Sequence, residues 1–91
     1  MTDIAANARW DDTVRYAPAQ AGPVKISNPN QEAWAWYEVT TSATAPPNDP
    51  ADPAYTIGVA LPPGANDDWD LAADEFIYFR GKGACILKVA T

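Results

Sequence analysis

The side chains that most often carry chemistry are thinly supplied in this chain. It has 91 residues, with twelve acids, six bases, one cysteine and no histidine. Nucleophilic triads and Cys–His pairs both need a general base, usually the imidazole that is missing here. A structural zinc site would have one sulfur to draw on and no ring nitrogen. Carboxylates stand side by side at Asp11-Asp12, Asp67-Asp68 and Asp74-Glu75. A glycosidase needs two acids facing each other across a cleft, and a chain this short leaves little room to build one. One stretch has metal-ligand spacing: Asn66, Asp68 and Asp70 follow the first three ligand positions of an EF-hand loop. The rest departs from that loop, with Leu71 in place of its glycine and Ile77 in place of its bidentate glutamate, so only a weak, incidental Ca²⁺ site is expected. Gly81-Lys82-Gly83 is too short to cradle a phosphate and reads as turn chemistry. Cys85 falls in an apolar run and reads as a buried, inert thiol. The expectation is a protein without catalytic residues, cofactor or metal, working by contact.

Charge and length narrow the partners. The formal net charge of −6 repels nucleic-acid phosphates, and the six bases (Arg9, Arg15, Lys25, Arg80, Lys82, Lys88) are scattered, so no nucleic-acid binding is expected. No apolar run approaches the roughly 20 residues that span a membrane. The polar, acidic start lacks the apolar core of a signal peptide, so the chain is expected to be made in a cytoplasm and kept soluble. A single domain of this size buries roughly 60–65% of the surface its unfolded chain exposes. Oligomerisation or docking would relieve that marginal stability.

The elements that must position these groups read as strands. Residues 75–89 form two apolar-rich runs around Gly81-Lys82-Gly83 and predict a β-hairpin, with Ile77, Phe79, Leu87 and Val89 in the core. Residues 13–17, 23–27, 33–41 and 55–61 alternate as further strands. In the longest, Trp34, Trp36, Glu38 and Thr40 share one face, and Ala33, Ala35, Tyr37 and Val39 share the other. The Trp pair reads as core, or as an exposed platform for a subunit or a sugar. Residues 42–54 hold Pro46, Pro47, Pro50 and Pro53 and form a long loop, either a semi-rigid linker or a contact element. Residues 65–70 read as an acidic turn, with Trp69 and Leu71 starting a short extended segment. Residues 1–12 read as an N-terminal arm with one or two helical turns, anchored by Trp10 to the domain or to a neighbour. The fold class is all-β: a small antiparallel β-sandwich or barrel of about six short strands over residues 13–91.

The order of elements over residues 24–89 resembles small virion structural proteins of tailed bacteriophages. The resemblance lies in Leu61-Pro62-Pro63-Gly64, in Ile77-Tyr78-Phe79-Arg80 and in the closing run of residues 84–89. It implies a head decoration or cement protein that sits on capsid subunits in the virion and contacts the major capsid protein or another virion protein. It also implies a homo-oligomer, for instance a trimer. The expected interface residues are Trp10, Trp34, Trp36, Pro46, Pro47 and Trp69, with the arm free to be deleted without loss of the fold. The alternative is a carbohydrate- or receptor-binding module, or a tail-fibre-associated β-domain, that uses exposed Trp as stacking platforms.

Overall fold

The computed structural model describes residues 2–91, which form eight strands. These are β1 (Thr2–Ala6), β2 (Arg15–Tyr16), β3 (Gly22–Ser27), β4 (Ala35–Thr40), β5 (Val59–Leu61), β6 (Asn66–Leu71), β7 (Phe76–Gly81) and β8 (Cys85–Ala90). They build two four-stranded antiparallel sheets, in the orders β1-β8-β3-β6 and β2-β7-β4-β5. The sheets face each other as a small β-sandwich. Alternation decides what lies between them. Val24 and Ile26 of β3, Ala35 and Tyr37 of β4, Ile77 and Phe79 of β7, and Leu87 and Val89 of β8 all point inward and are buried.

The two strands beyond the expected set come from stretches read otherwise. Residues 2–6 are not part of an arm. Thr2 to Ala6 pair in continuous register with Val89 to Cys85, and Ile4 and Ala6 enter the core. Five residues in an Ala-rich patch make a poor isolated helix, and a ready-made edge on β8 gives their backbone groups partners. Deletion of residues 1–12 therefore removes a strand rather than a detachable extension. Met1 lies outside the described residues. The acidic turn is likewise a strand, β6, paired along its whole length with β3.

The expected hairpin over residues 75–89 does not form. β7 lies in one sheet and β8 in the other, so residues 82–84 arch between the layers. Period-two alternation is equally satisfied by a hairpin and by an arch, because it fixes the buried face and not the neighbour. The arch uses its N–H groups elsewhere. Gly81 donates to Asn7 O at 2.7 Å and Lys82 to Trp34 O at 3.0 Å. A Cβ at Gly81 would stand 2.6 Å from both Cys85 Sγ and Gly83 O, so glycine is there for close approach.

Every connection changes sheets except β4 to β5, which is bridged by residues 41–58. Asn28 ties several of these crossings together. Its Nδ2 donates to Ala33 O at 2.8 Å and to Leu61 O at 2.9 Å, and its Oδ1 accepts from Asn30 N and Asn30 Nδ2. Its backbone N–H donates to Ala65 O, and its carbonyl accepts from Gly64 N. Gly64 sits at φ +79, and Ala65 N–H reaches back to Pro62 O, the pattern of a type II turn with Pro63 and Gly64 at its centre. Asn28→Ala strips two buried carbonyls of their donors, at about 1–3 kcal/mol for each group left unsatisfied. Urea or thermal unfolding should show a loss of about 3 kcal/mol and a Tm lower by more than about 10 °C.

Candidate interaction surface

The two outer faces of the sandwich are built differently. The face of the β1-β8-β3-β6 sheet is solvated, with Asp3 and Lys88 paired at 3.0 Å and Lys25 opposite Asp68. The outer face of the β2-β7-β4-β5 sheet carries Trp36, Phe76, Tyr78 and Arg80 and is roofed by the proline-rich loop. Tyr78 is fully buried there. Its hydroxyl donates to Ser42 O at 2.8 Å and accepts from Arg15 Nη1 at 3.0 Å. Arg15 Nη1 also reaches Ala43 O at 2.8 Å, and its guanidinium lies 4.5 Å from the centre of the Phe76 ring.

Trp10 locks this roof down. It is buried, so of the two anchorings expected of it, to the domain or to a neighbour, it makes the one to the domain. Trp10 N–H donates to Asn48 Oδ1 at 2.7 Å while Asn48 Nδ2 donates back to Trp10 O at 3.0 Å. Its indole N–H reaches Thr56 O at 3.1 Å. The guanidinium of Arg80 lies 4.3 Å from the centre of the Trp36 ring and 5.4 Å from that of Trp10, and donates to Ile57 O at 3.0 Å. Such stacking is worth about 0.5–2 kcal/mol, more as the site dries. Gly58, at φ +84, lets the end of the loop pass the Trp10 ring: a Cβ there would stand 2.8 Å from Tyr37 O and 3.0 Å from the indole.

The other expected contact residues are scattered. Trp36 is half-buried against Arg80 and belongs neither to the core nor to an open platform. Trp34 is 43% exposed near the arch. Pro46 and Pro47 are half-buried and line a shallow groove of about 430 Å³ with Glu38, Thr40, Ser42 and Thr56. Trp69 lies on β6, on another side of the molecule.

At Trp69 the sandwich is open. β5 and β6 each end one of the two sheets, opposite β2 and β1, and both flank Tyr37. Val59 stands opposite Tyr37 in the ladder, and the Trp69 ring meets the Tyr37 ring edge-on at 6.1 Å. Residues 55–61 were expected to form one continuous strand with Tyr55, Ile57, Val59 and Leu61 on one face. Only Val59–Leu61 is strand, and although Leu61 is buried, Ile57 and Val59 are 59% and 44% exposed. With Trp69 at 38% exposed, Val59 and Trp69 form an apolar flank beside Tyr37 that no other described residue covers. This concentration escaped sequence reading, because alternation cannot show where a sheet stops.

A polar cluster sits in the flank. The Trp69 indole N–H donates to Tyr37 Oη at 2.7 Å, and the Tyr37 hydroxyl donates to the Asp67 carboxylate. Burial, followed by the hydrogen bond to Asp67, pushes the Tyr37 hydroxyl up to about 12. Burial also pushes the Cys85 thiol up, which keeps it protonated and unreactive. The acidic run is a strand and does not take the shape of an EF-like loop. A strand carries residues along at about 3.4 Å each, so Asn66, Asp68 and Asp70 lie on one face in a row, roughly 7 Å apart. Calcium needs its oxygens within about 2.6 Å of one point. Among the described residues no group of three acidic, Cys or His side chains is placed to hold a metal.

Two outcomes follow from this geometry. Tyr37 is protonated in the folded state to a higher pH than in the unfolded chain, so its contribution to stability is intact below about pH 10 and falls away between about 10 and 12. Unfolding free energies of the native chain and of Tyr37→Phe, measured across that range, should converge as pH rises. Millimolar Ca²⁺ should leave Trp fluorescence and Tm unchanged; a saturable response would contradict the strand geometry.

No family model matches the chain, and no curated protein and no solved structure matches it either.

Proposed function

We propose that this chain is a non-enzymatic structural protein of a tailed-phage virion, a small β-sandwich that decorates or cements the capsid through protein–protein contacts. The phage assignment is supported by the resemblance in Leu61-Pro62-Pro63-Gly64, in Ile77-Tyr78-Phe79-Arg80 and in residues 84–89. The contact role is supported by one observation above the rest: Val59 of β5 and Trp69 of β6 both stand exposed where they flank Tyr37. Exposed apolar surface rimmed by polar groups is how protein interfaces present themselves, and Trp is prominent among the residues that dominate binding energy. The major capsid protein is the partner of choice, and the site of action is the virion.

The second reading, a carbohydrate- or receptor-binding module, draws on the 43% exposure of Trp34. It is weakened at Trp36, whose ring is stacked on Arg80. A glycan array probed with the native chain and with Trp34→Ala separates the two: sugar binding that is lost in the variant would favour this reading over the first.

The leading reading is tested by co-sedimentation with heads assembled from the major capsid protein encoded in the same genome, alongside light scattering to give the solution mass. Saturable uptake is expected, weakened at least about tenfold by Trp69→Ala. Val59→Asp, at an exposed position of β5 beside Tyr37, should weaken it as well. A monomer with no affinity for the shell would overturn the reading.

A further inference from the structure

The open flank also has a directional backbone edge. Asn28 N–H donates to Ala65 O, which places the pair 28/65 among the hydrogen-bonded pairs of the β3–β6 ladder. Alternation along an antiparallel ladder then turns Asp67 and Trp69 toward β3 and turns the N–H and C=O groups of Asn66, Asp68 and Asp70 outward. β6 ends its sheet, so no strand of the described chain lies beyond those groups. Their side chains project to the solvated outer face, where Asp68 and Asp70 are exposed. The opposite side of the same edge presents Trp69, with Val59 next to Tyr37 across the flank.

We infer that β6 accepts an added antiparallel strand from a partner protein, one that alternates Lys or Arg with apolar residues. This rests on the contact reading above and names the chemistry of the partner at that flank. A strand laid along β6 would bond to the outward groups of Asn66, Asp68 and Asp70. Its side chains on one face would stand across from Asp68 and Asp70, and those on the other would cover Trp69 and Val59. Main-chain bonds would hold it while alternating side chains select it, the division of labour found in β-strand addition.

Charge decides between occupants. The strand carries Asp67, Asp68 and Asp70, and Lys25, opposite Asp68 on β3, is the one base in register with them. Two copies of this chain joined antiparallel, β6 to β6, would set Asp68 against its own counterpart or, one step along, against Asp70 of the other copy, which is destabilising for like charges facing across strands. A basic segment reverses the sign of each such pair.

The test uses the full chain and a short acetylated, amidated peptide alternating lysine with valine. A twin with glutamate for lysine and a twin N-methylated at the residues that would face β6 serve as controls. The lysine peptide should bind and slow amide exchange at Asp68 and Asp70, with binding at least about tenfold tighter than the glutamate twin and reduced by added salt. The N-methylated twin should lose both binding and protection. Asp68→Asn combined with Asp70→Asn, both at exposed outer positions, should weaken the lysine peptide while leaving Tm unchanged. Equal binding by the two charge twins overturns the inference. So does binding that leaves those amides unprotected, or no binding at all. Protection that grows with protein concentration alone would make a second copy the occupant and overturn it as well. If heads take up the chain while the peptide result fails, strand addition falls and the shell reading stands. If the peptide binds as described while heads do not take up the chain, the shell reading falls alone.

Discussion

The buried amide of Asn28 is the interaction on which the rest of the fold depends. A sandwich whose strands keep changing sheets has many chain crossings, and each crossing leaves backbone groups that no ladder serves. Asn28 meets them at one point, where the end of β3, the approach to β4, the end of β5 and the turn before β6 converge. Its two amide hydrogens and its oxygen are all used, so the side chain approaches the full hydrogen-bonding capacity of an asparagine. An aspartate would present a second acceptor to carbonyls that need donors. A hydrophobic residue would fill the volume and leave those carbonyls unpaired. The register of β6 on β3 starts beside this amide, and with it the placement of Asp67 under Tyr37 and of Asp68 and Asp70 on the free edge.

The second constraint is the one connection that stays within a sheet. Residues 41–58 must travel from β4 to its neighbour β5, and they do so across the outer face of their own sheet. Prolines keep that path from becoming strand, while Trp10, Arg15, Arg80 and Tyr78 fasten it. One small domain thereby gains a second buried layer, which offsets part of the stability deficit of a short chain. The roof also explains why β7 is apolar on both faces. Ile77 and Phe79 serve the core between the sheets, and Phe76 and Tyr78 serve the layer under the loop.

Much of this was legible in the residues, and what was missed has common causes. Alternation identified the inner faces of β3, β7 and β8, because a strand with one buried face must repeat every second residue; on β4 it separated the two faces but favoured the Trp34/Trp36 side as core, where the structure buries Ala35 and Tyr37. Pro63-Gly64 announced its turn through the positive φ that glycine alone takes without strain. Alternation was silent about partners, so Phe76–Gly81 and Cys85–Ala90 looked like a hairpin when each completes a different sheet. It was silent about edges too: of the strand expected over residues 55–61 only Val59–Leu61 forms, and Val59 is left exposed at the edge. Thr2–Ala6 and Asn66–Leu71 were missed as strands because their residues have little intrinsic preference for one. Their pairing comes from β8 and β3, a tertiary cause that outweighs local propensity. Of the residues marked for contact, Trp69 lies on the flank, Trp10 became structural, and the rest are dispersed. No local signal separates a Trp that anchors a loop from one that greets a partner.

The acids of β6 show how one device answers two demands. An edge strand with an apolar side is a template for indiscriminate pairing, and proteins blunt such edges with charge. Asp68 and Asp70 stand beside the outward backbone groups, where a copy of the same strand would have to approach. The same charges make the edge selective instead of inert, because they repel an acidic or identical strand and favour a basic one. The Tyr37 hydroxyl, itself bonded to Asp67, holds the Trp69 indole by its N–H, so the ring is oriented before anything binds and loses little freedom on contact. The flank is thus stiff, apolar on one side and negative on the other, and its hydrogen-bonding groups point out of the molecule. Those properties select for a partner segment that is extended, alternating and basic.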